Sequence, residues 1–325
     1  MKYKNQFNAA LNKALKMEPF VTGNYRPPRF RLSASPFCAY KFLFQWYDFI
    51  KTDKIDLWDY SSDFYTSIGT TIHSLLQKWI PINNPGLFLG NWKCPTCKKV
   101  IEAATGPKFC KKCQSWMIYE EFVFYEKPGF AGHGDGIYLL NTDLVKTLDI
   151  DLYNTKRMDK YIRSCKKPVE AIALEFKSAG SFKAKRLGGP TPRNKAQALM
   201  YVPCANRKLK ELGLNVNVIG AMVKYLSRDN PNSSSNDFFL PVKDESLFDY
   251  SKGIVRSVYK AVKTGEVSHI YDSGIPCKGR FRDLYDECDY RESCSSLRKE
   301  AKIFLKETRK EIKRDFIFLQ NLEER

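Results

Sequence analysis

Two pairs of cysteines constrain this chain more than any other feature of its sequence. Cys94-Pro-Thr-Cys97 and Cys110-Lys-Lys-Cys113 are CxxC motifs with twelve residues between them. Four thiolates at such a spacing are typical of a tetrahedral zinc site. We therefore expect a zinc ribbon over residues 92–116, with a structural zinc, because so short a segment cannot form an apolar core of its own. Two reduced, packed cysteine pairs or a rubredoxin-like iron site are the alternatives.

A second group of cysteines lies near the C-terminus. Cys277, Cys288 and Cys294 are one ligand short of a four-cysteine site, and Cys38 is the natural fourth. Four thiolates divided in this way suit a cubane iron–sulfur cluster or a second zinc. The alternative is that Cys38 is a small buried hydrophobic residue.

The charge of the chain indicates a polyanionic partner. Lys and Arg number 54 against 36 Asp and Glu, which leaves a net charge of +18. Such a surplus favours nucleic acid over an acidic membrane, although a merely solvated basic surface is the alternative. The chain is 43% apolar, which excludes general disorder. We find neither a membrane-spanning stretch nor a signal-peptide core, and so expect a cytoplasmic protein with no membrane partner.

Hydrophobic periodicity predicts a mixture of helices and strands, and therefore an α/β fold. Pro203 should kink or end a helix that includes 195–201. The predicted helices cover residues 5–17, 62–80, 246–264 and 299–322, and the predicted strands cover 117–126, 131–140, 169–178 and 216–226.

Four short motifs follow one another along the chain and carry the groups needed for chemistry. They are Gly69-Thr-Thr-Ile-His73, Gly132-His-Gly-Asp135-Gly136, Leu174-Glu175-Phe-Lys177 and Gln197-Ala-Leu-Met-Tyr201. Strand side chains alternate, so Glu175 and Lys177 project from one face. Asp135 would complete an oxygen site for Mg²⁺ or Mn²⁺, whose bound water attacks a phosphodiester.

The remaining motif residues have supporting roles in this interpretation. Lys177 would orient the attacking water or stabilise the developing negative charge. Gln197 and Tyr201 share a helix face at i and i+4, where they would hold the substrate or Lys177. Each motif alone has an ordinary structural explanation, such as an ion pair or a plain helix face.

The order GxxxH, GxxD, ExK and QxxxY resembles the RecB-like branch of the PD-(D/E)XK nuclease superfamily. The late C-x-Y-R-x-x-C pattern resembles the iron–sulfur nucleases of the AddB and CRISPR-associated exonuclease type. The resemblance implies a restriction-endonuclease-like core with a central mixed sheet flanked by helices. The departures are the ten residues between Cys277 and Cys288 where the family usually has two, the inserted zinc ribbon, and the missing proline before Asp135.

The resemblance also implies roles for individual residues. His73, Asp135, Glu175 and the Phe176 carbonyl would bind the divalent metal, and Lys177 would be catalytic. Gln197 and Tyr201 would lie on the substrate side. A [4Fe–4S] cluster on Cys38, Cys277, Cys288 and Cys294 would close a nuclease domain over residues 1–298, and residues 299–325 would form a charged amphipathic helix.

We therefore expect a metal-dependent DNA nuclease, most simply an exonuclease acting in recombination, repair or replication of a bacterial or phage-infected cell, associated with the nucleoid. Its substrate would be single-stranded DNA or duplex ends. The chain has no GxxxxGK[ST] loop, so unwinding would require a helicase or recombination protein as partner. The alternatives are a non-catalytic DNA-binding or adaptor subunit and an iron–sulfur redox-sensing regulator.

A basic segment indicates where nucleic acid would bind. Residues 178–210 contain no acid. Phosphate contacts are predicted for Lys183, Lys185, Arg186, Arg193 and Lys195, with affinity falling steeply as salt rises. A solvated loop is the alternative. The lysine-rich ribbon could bind DNA or a protein, and the C-terminal helix could cap the domain or dock a partner.

Overall fold

The computed structural model describes residues 20–21, 38–51, 57–58, 60–126, 130–180, 186–229, 236–242, 245–272, 290 and 292–323. The helices are α1 (Ala39–Lys51), α2 (Tyr60–Asn83), α3 (Asp143–Thr147), α4 (Lys156–Ser164), α5 (Pro192–Glu211), α6 (Ser246–Thr264), α7 (Ser268–Asp272), α8 (Cys294–Leu297) and α9 (Ala301–Glu323), with a 3₁₀ turn at Arg298–Glu300. The strands are β1 (Phe20–Val21), β2 (Leu57–Trp58), β3 (Phe88–Lys93), β4 (Val100–Gly106), β5 (Phe109–Cys110), β6 (Ser115–Trp116), β7 (Ile118–Glu120), β8 (Phe122–Glu126), β9 (Phe130–Gly134), β10 (Gly136–Leu139), β11 (Val169–Ala179), β12 (Val216–Ser227) and β13 (Asn236–Pro241).

A mixed seven-stranded sheet forms the centre of the described structure. Its order is β13-β12-β11-β10-β3-β4, and β7 pairs with the end of β3 beyond β10. Only β11 and β12 are parallel within this sheet, and α5 makes the crossover that a parallel pair requires. The predicted α/β class, with a mixed sheet flanked by helices, is confirmed.

The two faces of β11 contribute to different cores because its side chains alternate. Ala171 and Ala173 belong to the larger core, which includes residues of α1, α5, α6 and α9. Leu174 and Phe176 belong to a smaller core on the opposite face, against which Leu76 of α2 packs. Helices therefore cover both faces of β11, and side chains at its end are partly enclosed from two sides.

Of the two predicted effects of Pro203, the end of the helix is wrong, because α5 continues through this residue to Glu211. A proline inside a helix removes one hydrogen bond and costs about 3 kcal/mol. Every residue from Met200 to Ala205 is buried. Burial of this whole turn against β12 and the neighbouring helices offsets the loss.

Several other sequence predictions can be compared directly with the structure. The helices predicted over 62–80 and 246–264 correspond to α2 and α6, and the strand over 169–178 corresponds to β11. The predicted helix over 5–17 lies outside the described residues. None of the helices described is both long enough and apolar enough to span a membrane.

The C-terminal helix packs on the domain over its described side chains. Phe304, Leu305 and Ile312 of α9 are buried in the larger core. The Arg309 side chain donates to the carbonyl oxygens of Val262 and Lys263 at the end of α6, each over 2.7 Å. These contacts favour the capping role over a free docking helix.

Candidate functional site

Three elements bring the predicted motif residues together at one end of β11. His73 lies on α2, Asp135 lies between β9 and β10, and Glu175 and Lys177 lie on β11. Gly136 is the first residue of β10 and pairs with Leu174 of β11, so Asp135, just before it, lies where the two strands separate.

Asp135 connects α2 to β11. Its Oδ1 lies 3.0 Å from His73 Nδ1, and its Oδ2 accepts the Phe176 backbone N–H over 2.6 Å. The hydrogen bond to Asp135 raises the pKa of His73. The edge of the His73 ring also faces Phe176, with 6.0 Å between ring centroids. The imidazole is thus fixed on the α2 side of the strand.

Glu175 is held on the opposite side of the same strand. Its side chain is 3% exposed, and its Oε1 accepts from Gln197 Nε2 over 2.8 Å and forms an ion pair with Lys177. Its Oε2 is buried and has no hydrogen-bond partner among the described residues. Burial, and then the nearby Asp135 carboxylate, raises the pKa of Glu175 to about 8. A buried carboxylate oxygen with no partner is costly, unless a proton or a cation satisfies it.

Gln197 and Tyr201 support this ion pair from α5. Gln197 Oε1 accepts from Lys177 Nζ over 3.1 Å, and Gln197 Nε2 also donates to the Tyr201 hydroxyl over 2.7 Å. Both side chains are buried. Gln197 therefore contacts both members of the Glu175–Lys177 pair, and Tyr201 contacts Gln197, a geometry that favours positioning over direct substrate contact.

The three side chains predicted to bind the divalent metal are neighbours but are not drawn tightly together. In the part of the chain that the structure describes, the four-cysteine group alone has at least three ligand atoms all within 4.8 Å of one another. His73 approaches from the α2 side, and Glu175 from the α5 side. The two carboxylates repel each other when no cation lies between them.

Two glycines of the motifs have packing roles. A side chain at Gly69 would meet Ser178 Oγ at 3.2 Å, so this glycine lets α2 approach β11. A side chain at Gly136 would overlap the Phe88 ring. That ring fills the space that Gly136 leaves.

Sequence reasoning missed two polar residues beside the site. Gln77 lies one helical turn after His73 and donates to Glu121 Oε1 over 3.1 Å and to the Asp135 carbonyl over 3.2 Å. Glu121 Oε2 also lies 3.4 Å from His133 Nδ1. The i, i+4 spacing from His73 was a usable signal for Gln77. Glu121 carries no motif, and strand pairing alone brings it near Asp135.

The four CxxC cysteines form a compact cluster. Their sulfur atoms all lie within 4.8 Å of one another, which is close enough to bind a metal such as zinc or an iron–sulfur cluster. Cys97 Sγ and Cys110 Sγ are 3.8 Å apart. The edge of a tetrahedron with metal–sulfur bonds of about 2.3 Å is also about 3.8 Å long. The backbone N–H of Cys97 leads the contacts that lower the pKa of Cys94 to about 6, which favours the metal-binding thiolate.

The two CxxC turns have the same local geometry. The residue after each pair is left-handed, Lys98 at φ 61° and Gln114 at φ 51°. The side chains of these two residues donate to Pro95 O and Lys111 O respectively, each over 2.6 Å. Equivalent turns aim two pairs of sulfurs at one point, as a four-thiolate site requires.

The ribbon is continuous with the central sheet. The segment predicted as an insertion, 92–116, begins inside β3 and contains β4, both of which belong to that sheet. Asp159 of α4 accepts from the backbone N–H of Thr105 over 2.6 Å and pairs with the buried Lys108. Lys108 therefore anchors the ribbon and is not presented to a partner.

The second predicted cysteine site is described only in part. Cys277 and Cys288 lie outside the described residues. Cys38 and Cys294 precede α1 and begin α8, and both are half-buried against the larger core. Burial raises the pKa of Tyr40 to about 12, and both thiols contribute in the same direction, so they lie on the same side of the domain.

The basic segment lies between β11 and α5. Lys183 and Lys185 fall outside the described residues, whereas Arg186, Arg193 and Lys195 are all exposed. The Tyr225 hydroxyl accepts from the Thr191 backbone N–H over 3.1 Å, which fixes the start of α5 to β12. The charged side chains thus project from a defined helix end.

No family model matches the chain, and comparison with curated proteins finds no match.

Proposed function

We propose that the protein is a metal-dependent DNA nuclease with a RecB-like, restriction-endonuclease-like core. The observation that carries this proposal is the buried Glu175 Oε2, which has no hydrogen-bond partner among the described residues and lies near a second carboxylate, Asp135. Such an arrangement is costly unless a proton or a bound cation satisfies the free oxygen, and a cation between the two carboxylates would also relieve their repulsion.

The donor set fits a hard divalent cation such as Mg²⁺ or Mn²⁺. Asp135 and Glu175 supply carboxylate oxygens, His73 supplies an imidazole, and the Phe176 carbonyl is the proposed fourth donor. A bound cation would lower the pKa of a water molecule and neutralise charge on the scissile phosphate.

The chain's own residues would complete the reaction. Lys177 is the cation closest to Glu175, and its ammonium would orient the attacking water or stabilise the phosphorane-like charge. Gln197 fixes Lys177 and Glu175 relative to each other, while Asp135 fixes His73. Because Lys177 would act on the reacting groups directly and Gln197 acts through Lys177 and Glu175, we assign a catalytic role to Lys177 and a positioning role to Gln197.

The basic charge supports DNA as the substrate. Arg193 and Lys195 are exposed in the first turn of α5, the helix that also carries Gln197, and Arg186 is exposed in the segment before it. Phosphate contacts there would guide a strand towards β11. We propose an exonuclease of recombination, repair or replication, acting on single strands or duplex ends, with a helicase or recombination protein as partner.

Two cysteine-bound cofactors complete the proposal. Zinc is proposed on the Cys94, Cys97, Cys110 and Cys113 cluster, because a closed four-thiolate site on paired CxxC turns usually holds zinc. A [4Fe–4S] cluster is proposed on Cys38, Cys277, Cys288 and Cys294. Elemental analysis should find zinc near one and iron near four atoms per chain.

The test is cleavage of end-labelled single- and double-stranded DNA with Mg²⁺ or Mn²⁺. Glu175→Ala and Lys177→Ala should each lower the rate at least about 100-fold. Lys224→Ala is the matched control, because Lys224 on the neighbouring strand β12 also pairs with a carboxylate, Asp237, at 2.9 Å. It should cleave like the parent.

Two results would contradict the proposal. Unchanged cleavage by both Glu175→Ala and Lys177→Ala would remove the mechanism. DNA binding by the parent without cleavage in either metal would favour a non-catalytic adaptor.

A further inference from the structure

Three aromatic side chains form an exposed cluster beside the cysteine site. Phe109 and Trp116 are directly paired across β5 and β6, with ring centroids 5.2 Å apart. Tyr153, from the turn before α4, lies 5.3 Å from the Trp116 ring and 6.3 Å from the Phe109 ring. Two of these rings remain open to solvent, since Tyr153 is 75% exposed and Trp116 is 40% exposed.

The cluster is held rigidly, although it is exposed. Cys110 ends β5 and Cys113 lies in the turn that joins β5 to β6, and their sulfurs belong to the four-cysteine cluster. The backbone N–H of Tyr153 donates to Asp151 Oδ1 over 2.7 Å. Exposed rings on a fixed support lose little conformational entropy when a flat partner stacks on them.

Exposed lysines lie close to the rings in sequence. Lys111 and Lys112 in the β5–β6 turn and Lys156 at the start of α4 are all exposed. The acids nearest to Tyr153 in sequence have local partners, because Asp151 caps the turn and Asp149 pairs with Arg157 at 3.1 Å. A partner that covers this face therefore needs flat apolar groups and negative charge together.

We propose that this face binds single-stranded nucleic acid, with bases stacked on Trp116 and Tyr153 and phosphates against Lys111, Lys112 and Lys156. Unpaired bases offer open faces to aromatic rings, and the backbone between them carries the matching charge. Bases in a duplex stack on each other, so the same face would discriminate against blunt duplex. The inference rests on the proposed function for its DNA substrate, and it assigns a single-strand contact to the ribbon.

The experiment measures binding of labelled oligothymidylate by fluorescence anisotropy, with the full chain and neither chelator nor added divalent metal. Trp116→Ala and Tyr153→Ala should each weaken binding about 5- to 100-fold, the range typical of base–aromatic stacking. Tyr153→Phe keeps the ring and should bind like the parent. Phe239→Ala removes a comparably exposed ring, 45% exposed, from β13 at the opposite end of the sheet and should have no effect.

The lysines give a second, independent readout. Replacing both Lys111 and Lys112 by Gln should reduce the slope of log affinity against log salt by about 0.7 for each phosphate that the variant no longer neutralises. Tyr153→Ala should leave that slope unchanged. This variant lies in an exposed turn, so it keeps the test decisive if Trp116→Ala fails to fold.

The outcomes separate this inference from the proposed nuclease activity. If the parent, Trp116→Ala and Tyr153→Ala bind oligothymidylate with equal affinity, the stacking site is overturned. If those variants also cleave duplex DNA normally, the nuclease proposal stands. Conversely, suppose that the parent cleaves no DNA while Trp116→Ala and Tyr153→Ala bind oligothymidylate more weakly than the parent does. That result supports the stacking site and removes only the catalytic proposal.

Discussion

The side-chain amide of Gln197 donates to Glu175 Oε1 over 2.8 Å and so ties α5 to the end of β11. The oxygen of the same amide accepts from Lys177 Nζ. One neutral side chain thus contacts both members of an ion pair whose carboxylate is buried, and it fixes the direction in which each points.

Replacing Gln197 by Ala should lower the kcat of the proposed nuclease about 10- to 100-fold, the range typical of residues that orient metal ligands. KM for DNA should change little, because Gln197 is 5% exposed and does not reach the surface. Steady-state cleavage rates over a range of DNA concentrations measure both quantities.

The control for this prediction is Gln45→Ala, which removes a half-buried glutamine from α1. It should leave kcat unchanged. A raised KM with normal kcat in Gln197→Ala would instead indicate direct substrate contact.

Glu175 should make the stability of the metal-free protein depend on pH. Its pKa is raised to about 8 in the folded state, so the folded chain holds more protons than the unfolded chain between about pH 4.5 and pH 8. Stability therefore falls as pH rises through this window, by about 1.4 kcal/mol for each unit of pKa difference. The raised pKa of His73 acts in the same direction near neutral pH.

Glu175→Gln should remove most of this dependence and stabilise the metal-free protein at pH 8 by more than about 1 kcal/mol. Urea unfolding at pH 6 and pH 8 without divalent metal measures the difference. Glu211→Gln on α5, an exposed carboxylate, is the control. An equal pH dependence in parent and Glu175→Gln would contradict the prediction.

The left-handed residue after each CxxC pair predicts an unusual preference for glycine. Gln114 has φ 51°, a conformation that costs an L-residue about 1 kcal/mol. Gln114→Gly and Gln114→Ala both remove the side-chain amide, so their difference isolates the backbone. Gly should be the more stable by a few tenths to about 1 kcal/mol in thermal unfolding.

Lys160, an exposed residue inside α4, provides the reverse case. There Lys160→Gly should be less stable than Lys160→Ala by about 0.5–1 kcal/mol. The left-handed assignment would be wrong if Ala were preferred at both positions.

Local patterns predicted the parts of this structure that depend on local spacing. Glu175 and Lys177 share a strand face because strand side chains alternate, and the CxxC spacing brought the cysteines of two turns together. Such local patterns could not predict which strands pair with each other, because pairing depends on contacts between distant parts of the chain. Nothing in the CxxC motifs indicates that β4 extends the central sheet. Similarly, Glu121 reaches Gln77 only because β8 pairs with β9.

Removing the proposed zinc from the CxxC cluster should loosen the edge of the central sheet and not its centre. The reason is that the cluster joins the β3–β4 turn to the β5–β6 turn, and the pairing of Asp159 with Lys108 ties the same segment to α4. Structural zinc contributes about 10 kcal/mol or more to folding in peptides of this kind. Cys113→Ser should therefore abolish zinc binding and expose the amides of 94–116 to rapid hydrogen exchange. Amides of β11 around Phe176 should stay protected, because this strand pairs with β10 and β12 on either side.

Cys165→Ser, at a half-buried cysteine outside the cluster, should retain both zinc and protection. Global loss of protection in Cys113→Ser would show that the metal stabilises the whole domain, whereas unchanged protection in 94–116 would show that the ribbon folds without it.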